Sequence, residues 1–386
     1  MLKICVFTGT RAEYGLLRPL LFRLKQDKDI NLTIVVSGSH LSEKYGNTYK
    51  EILKDEFSSL ELIDIHLEHN NDLGICRSMG VAFEEYSSVL KKVNPHMMVI
   101  LGDRYEAFAM ASVCHVMKIP IAHIHGGEVT EGAYDDAFRH SITKMSYLHF
   151  VSCDEYRRRV VQLGEEPERV FTVGALGIEN IINIDKMSKT ELESELNFKL
   201  DEKYCIITCH PETLKKGDIS YIDDMLGAID ECKGLKCIFT GSNSDGGGEE
   251  INKRLIEYAH KNSDRCFYAK SLGLLKYLSA VEYCEFVMGN SSSGIIEVPA
   301  FKKPVINIGD RQKGRIRSKC VIDIPWDKDI ILESIKYVQS DEMKEVCKLS
   351  ENIFGDGNTS KRILHIMKDF LENDKITLEK KFYDVR

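Results

Sequence analysis

At 386 residues the chain is long for a single hydrophobic core, so two domains are expected. Its 43% hydrophobic and 29% charged residues describe a globular protein, and a net charge of −8 excludes the broad basic face that a nucleic-acid binder needs. An anionic ligand would have to be held by a local cluster of donors.

Taken in order, Leu2-Lys3-Ile4-Cys5-Val6-Phe7 reads as a buried strand, and Leu16, Leu17, Leu20, Leu21 and Leu24 recur at helical spacing. The turn between them carries Gly9, Arg11 and Glu13 but no GxGxxG, so a dinucleotide fingerprint is absent. Arg11 is either an exposed turn residue or a cation set at a strand's carboxyl edge to meet phosphate. Residues 32–36 form a second strand, 81–93 a helix and 97–101 a fully buried strand ending in Gly102-Asp103-Arg104. After a helix over 107–117, the strand 119–124 delivers His125-Gly126-Gly127-Glu128. The loop 129–134 then leads to Asp135 and Asp136 at the head of another helix, where acidic residues also suit the helix dipole. Asp103, His125, Glu128 and Asp135 issue from neighbouring strand edges of one sheet, which makes them candidates for proton transfer.

Strands over 148–152 and 170–174 close the first half, and a helix over 189–196 leads into the second. There 204–209 is a strand ending at His210, either a histidine satisfied by backbone or a group on the ligand side. Strand 236–240 runs into the Gly-rich loop 241–248, which lacks a phosphate-binding lysine spacing. Val281, Phe286, Val287 and Met288 read as the end of a buried strand, followed by Gly289-Asn290-Ser291-Ser292-Ser293-Gly294 and a helix beginning near Ile295. Strand 304–308 ends in Gly309-Asp310-Arg311-Gln312-Lys313-Gly314-Arg315. An N-capped helix beside a solvated basic loop would explain both turns, but two such loops on successive strands favour a bound anion. Ile363, Leu364, Ile366, Met367, Phe370 and Leu371 form a closing amphipathic helix.

Several of the twelve cysteines sit in apolar runs and none falls in a CxxC pair. With no leader pattern and no apolar stretch of membrane-spanning length, a cytoplasmic protein is expected.

The series Gly9-Thr10-Arg11-Ala12-Glu13-Tyr14, Tyr45-Gly46-Asn47-Thr48, Gly102-Asp103-Arg104, His125-Gly126-Gly127-Glu128, Asp135-Asp136 with Arg139 to Lys144, Gly289 to Gly294 and Gly309 to Arg315 resembles the hydrolysing UDP-N-acetylglucosamine 2-epimerases of sialic and legionaminic acid synthesis. The resemblance spans about residues 2 to 371. It implies an α/β, GT-B-like fold of two Rossmann-like doubly wound parallel-sheet domains with a cleft between them. The expected divisions are 1–175, carrying the acid and base residues, 176–362, binding UDP, and 363–386, a helix and tail packing back on the first domain.

The implied reaction eliminates UDP to leave a 2-acetamidoglucal, adds water at C1 and returns a proton to C2 from the other face. UDP-N-acetylglucosamine would give UDP and free N-acetylmannosamine. UDP-2,4-diacetamido-2,4,6-trideoxyglucose is the second substrate considered, and a GT-B glycosyltransferase and a non-catalytic nucleotide-sugar sensor are the rival classes.

By resemblance Asp103 and Asp135 handle protons, with His125, Glu128 and His210 completing the catalytic set. Arg11 and His210 contact the diphosphate, Ser291, Ser292, Ser293 and Gly294 hold phosphate, and Glu297 holds the ribose. Arg311 and Arg315 add cations, and Tyr277 lies near uracil. His125 stands where many relatives carry a catalytic Glu, and Leu16 where non-hydrolysing enzymes carry a Lys. No cofactor and no metal is expected. The expected partners are the UDP-sugar and UDP, with no nucleic acid and no membrane, in a homodimer or homotetramer.

Overall fold

The computed structural model describes residues 1–67, 72–129, 135–201, 203–211, 219–242, 248–373 and 376–385. Most of the loop 129–134, residues 212–213 after His210 and most of the Gly-rich stretch 241–248 therefore lie outside the described residues. The chain divides into two units, Met1–Asn180 with Phe354–Arg386, and Ile181–Ile353. It leaves the first unit a few residues beyond 175 because Leu176 belongs to that unit's core. It re-enters before 362 because Phe354 already accepts a hydrogen bond from Ala175 N–H at 2.7 Å.

The first unit is built on parallel strands β1 (Leu2–Thr8), β2 (Ile30–Val36), β3 (Leu60–Leu62), β4 (Met97–Leu101), β5 (Ile121–Ile124), β6 (Leu148–Val151) and β7 (Val170–Thr172). Among the described residues they lie in the order β3-β2-β1-β4-β5-β6-β7. Side chains of a strand alternate between faces, and β1 shows both faces buried. Ile4 and Val6 pack with Leu17, Leu20, Leu21 and Leu24 of helix Arg11–Gln26 and with Ile363 and Met367 of helix Thr359–Glu372. Cys5 and Phe7 face helices Asp72–Val93 and Tyr105–Val116 through Tyr86, Leu90 and Met110.

Helix Asp72–Val93 begins nine residues before the apolar pattern does. Its buried stripe runs Gly74, Ser78, Ala82, Tyr86, Leu90, four residues apart throughout, but the first two positions lack hydrophobic bulk. The closing helix, Thr359–Glu372, is fixed at its start by the buried Glu179 carboxylate, which accepts from Ser360 N–H and Oγ–H, both at 2.6 Å.

The second unit repeats the plan with β8 (Tyr204–Thr208), β9 (Lys236–Thr240), β10 (Cys266–Ala269), β11 (Phe286–Gly289), β12 (Val305–Ile308) and β13 (Val321–Ile324). Among the described residues the order is β10-β9-β8-β11-β12-β13, all parallel. Cys205 and Ile207 face one core, Tyr204 and Ile206 the other. Val281 is not strand but part of helix Gly273–Tyr283, because Glu282 to Glu285 interrupt the apolar run before β11 starts at Phe286.

Each unit is thus a Rossmann-like doubly wound sheet. In each, the connections leave in opposite directions from two adjacent strands, β1 and β4 or β8 and β11, which opens a ligand crevice at their carboxyl ends. Among the described residues no helix is long and apolar enough to cross a membrane.

Candidate functional site

In the first unit the crevice collects charged groups. β4 ends at Leu101, and Asp103 just beyond it pairs with the buried Arg139 guanidinium of helix Asp135–Met145. Burial pushes the Asp103 carboxyl above its ordinary value against the pull of Arg139, and the charges of Asp135 and Glu128 push it further the same way. Asp135, first residue of its helix, is also raised by burial, with Arg104 and Arg139 opposing. These couplings put Asp103, Asp135, Glu128, Arg104 and Arg139 in one electrostatic cluster.

His125 follows β5 with a left-handed backbone, φ 67°, and its N–H donates to Phe150 O at 2.9 Å. Its Nδ1 lies 2.9 Å from Glu128 Oε1, and its Nε2 is buried without a hydrogen-bond partner among the described residues. The turn is tight: a Cβ on Gly127, φ 79°, would lie 2.4 Å from Tyr156 O. Beneath it His123 is bound through Nε2 to Gly102 O at 2.8 Å and through Nδ1 to Thr143 Oγ1 at 3.2 Å. Burial depresses the His123 pKa to about 3, so this ring is a neutral brace.

At the neighbouring end of β1, Glu13 is buried and accepts from Gly9 N–H at 2.7 Å. Burial lifts its pKa to about 7, helped by the Glu106 charge and opposed mainly by the Gly9 hydrogen bond. Glu106, fully buried, grips Arg104 through two bonds of 3.1 Å. Arg11 opens its helix with an exposed side chain paired to Glu51 at 3.1 Å.

In the second unit the crevice is built mainly of neutral donors around Asn290, which is fully buried. Its Oδ1 accepts from His210 N–H at 2.7 Å and its Nδ2 donates to His210 O at 2.9 Å, fixing the backbone just past β8. Its own carbonyl accepts from Gln312 Nε2 at 2.9 Å and Arg311 Nη1 at 3.3 Å, fixing the loop past β12. One amide residue thereby ties three strand ends together. Only glycine fits before it, since at φ 129° a Cβ on Gly289 would lie 2.0 Å from Thr208 O.

Ser291 caps the five-residue helix Ser292–Ile296 through Ser293 N–H. Tyr277 OH lies 2.8 Å from Ser293 Oγ, so this ring supports the serine turn from below. Gly294 lets the turn settle on Val305, whose Cγ1 would be 3.1 Å from a Cβ there. Burial raises the Glu297 carboxyl above its ordinary value. Arg315 shares the Gln312 loop, its N–H bonded to Gln312 O at 3.3 Å.

The first unit thus gathers Asp103, Asp135, His125 and Glu128, with Arg11 on the adjoining strand end. The second gathers His210, Ser291, Ser292, Ser293 and Arg311. Reading the sequence misses the groups that brace these sets: Arg139, Arg104, Glu106, Glu13, Asn290 and Gln312. Two had usable signals, since Arg139 lies four residues after Asp135 on one helix and Thr10-x-x-Glu13 has the spacing of a capping box.

The profile of the UDP-N-acetylglucosamine 2-epimerase family matches residues 23–368. A Campylobacter jejuni GDP/UDP-N,N'-diacetylbacillosamine 2-epimerase (hydrolyzing) is 47% identical over 83% of this chain and 84% of its own length. Polysialic acid biosynthesis protein P7 of Escherichia coli is 39% identical over 100% of this chain and 98% of its own. A Legionella pneumophila UDP-N,N'-diacetylbacillosamine 2-epimerase (hydrolyzing) is 34% identical over 95% of each. The solved UDP-GlcNAc 2-epimerase of Neisseria meningitidis bound to UDP-GlcNAc shares the fold, with TM-score 0.76, 18% identity, 96% of this chain and 100% of that one covered.

Proposed function

Because the chain belongs to the UDP-N-acetylglucosamine 2-epimerase family, we propose that it is a hydrolysing 2-epimerase that releases the nucleotide diphosphate and a free 2-epimerised sugar. The observation that carries this reading is the cluster at one sheet edge, Asp103 and Asp135 with Arg139, beside His125 and Glu128. Elimination needs a base for the weakly acidic C2–H and an acid to return a proton to the glycal from the other face. Carboxyl groups raised by burial keep a protonated fraction nearer neutrality than exposed ones, which suits Asp103 and Asp135 to donating as well as accepting.

The leaving group is the second demand. Charge develops on the β-phosphate as the C1–O bond breaks, and preorganised donors lower that barrier. Ser291, Ser292, Ser293 and Gly294, with Arg11, His210, Arg311 and Arg315, are the proposed diphosphate contacts, Glu297 takes the ribose, and Tyr277 lies near the base. No metal or other cofactor is required in this scheme. The enzyme is proposed to work in the cytoplasm as a homodimer or homotetramer.

The sugar is proposed to be the 2,4-diacetamido-2,4,6-trideoxy sugar of UDP-N,N'-diacetylbacillosamine. Relatives named for it reach 47% and 34% identity, against 29% for the Neisseria meningitidis UDP-N-acetylglucosamine 2-epimerase. UDP-N-acetylglucosamine is the second reading, favoured by the family profile. Assaying both nucleotides side by side, with the free sugar identified by NMR, decides. A kcat/KM at least tenfold higher for the diacetamido sugar is expected, and the reverse preference returns the assignment to N-acetylmannosamine production.

A further inference from the structure

Resting on that functional reading, we propose that His125 and Glu128 form a dyad in which Nε2 of His125 is the base that takes the C2 proton. Glu128 is the positioning residue. Its Oε1 lies 2.9 Å from Nδ1, so the carboxylate accepts the Nδ1 proton and leaves the lone pair on Nε2. That nitrogen is buried and meets no hydrogen-bond donor or acceptor among the described residues, an arrangement that wastes a polar atom unless a ligand supplies its partner. Asp103, by contrast, already gives its carboxylate to Arg139.

The backbone makes a second, independent argument. His125 sits at φ 67°, where a side chain bearing Cβ is strained and glycine is not. Two glycines follow it, so a third would fit this turn better than imidazole does. An imidazole kept at a position that disfavours it points to chemistry.

The step balances. Nε2 takes the proton, the C2–H electron pair becomes the C1=C2 bond, and the C1–O pair leaves on the β-phosphate of the nucleotide. Asp103 or Asp135 then protonates C2 on the opposite face, water adds its oxygen to C1 and gives its released proton to that carboxylate, and the imidazolium returns its proton to solvent.

The test uses the full chain and both nucleotide sugars, reading nucleotide diphosphate release and the binding of UDP. His125→Gly is expected to bind UDP as the wild type does, to melt at the same temperature or higher, and to lose more than a hundredfold in kcat. Added imidazole should restore at least tenfold of that loss. Glu128→Gln presents an amide N–H to Nδ1 and so moves the ring proton to Nε2; it should lose kcat comparably and gain nothing from imidazole. His125→Asn, tolerated at positive φ, repeats the loss if the glycine variant is poorly soluble. A His125 variant that keeps kcat within threefold, or a folded His125→Gly that imidazole cannot help, overturns the dyad while leaving the epimerase reading intact. A wild type that releases no epimerised sugar from either nucleotide overturns both.

Discussion

The two units are the same device filled with different chemistry. Both order their strands 3-2-1-4-5 in local count, and both place their conspicuous residues past the carboxyl ends of the central strands. In the first unit those ends carry charged and titratable groups in mutual pairs, Asp103 with Arg139, Glu106 with Arg104 and Glu128 with His125, and burial raises the Asp103 carboxyl above its ordinary value. In the second they carry hydroxyls, backbone amides and cations organised by the neutral side chain of Asn290. A fold decides where a site lies, and the loops decide what it does. The proposed division, with proton handling on the first unit and most of the anion holding on the second, suits the physics: carboxylates repel a diphosphate, and cations depress the pKa an acid needs.

The sharpest way to break the neutral side is Gly289→Ala. A methyl 2.0 Å from Thr208 O forces apart β8 and β11, so a destabilisation above ~4 kcal/mol and loss of soluble protein are expected. A soluble variant with wild-type melting would show that the turn yields without cost. On the charged side, Asp103→Asn should lower kcat by roughly 10²- to 10⁴-fold while UDP still binds, because it removes a proton carrier but leaves the diphosphate contacts. Calorimetric titration with UDP beside a turnover assay separates the two effects. Parallel losses of binding and turnover would contradict the division of labour.

Glu13 sharpens the comparison through pH. Its folded pKa is raised from 4.5 to about 7, so its favourable contribution is full below about pH 4.5 and is lost as pH rises through 7. Glu13→Gln keeps an acceptor for Gly9 N–H and removes the charge. Relative to wild type it should be neutral near pH 4 and more stable by about 3 kcal/mol at pH 8, read by urea melts at the two pH values. Equal differences at both would place the carboxyl in an ordinary environment. The smallest structural effect is expected for Arg11→Ala, whose exposed pair with Glu51 is worth about 0–1 kcal/mol. Its stability should stay within that range while KM for the nucleotide sugar rises.

How much of this was legible in the sequence follows from the range of each interaction. Apolar runs mark β1, β4, β5, β8 and β12 because both faces of each are buried, and the proposed catalytic residues lie past the ends of such runs or, like Asp135, open a helix. β3 and β13 at the sheet edges are half exposed and leave no such trace. The braces are invisible for another reason: Asn290 meets a partner 80 positions away, and no local spacing encodes that. The substrate order shifted too. The family resemblance put UDP-N-acetylglucosamine first, whereas the identities of the relatives favour the diacetamido sugar, because the groups that meet C4 and C6 form no recognisable motif.

Cleavage by elimination across C1 and C2 is tested by one incubation in D2O containing H2¹⁸O. One deuterium at C2 of the released sugar and a nucleotide diphosphate free of ¹⁸O are expected. A sugar that keeps its protium at C2, or ¹⁸O in the diphosphate, would contradict it.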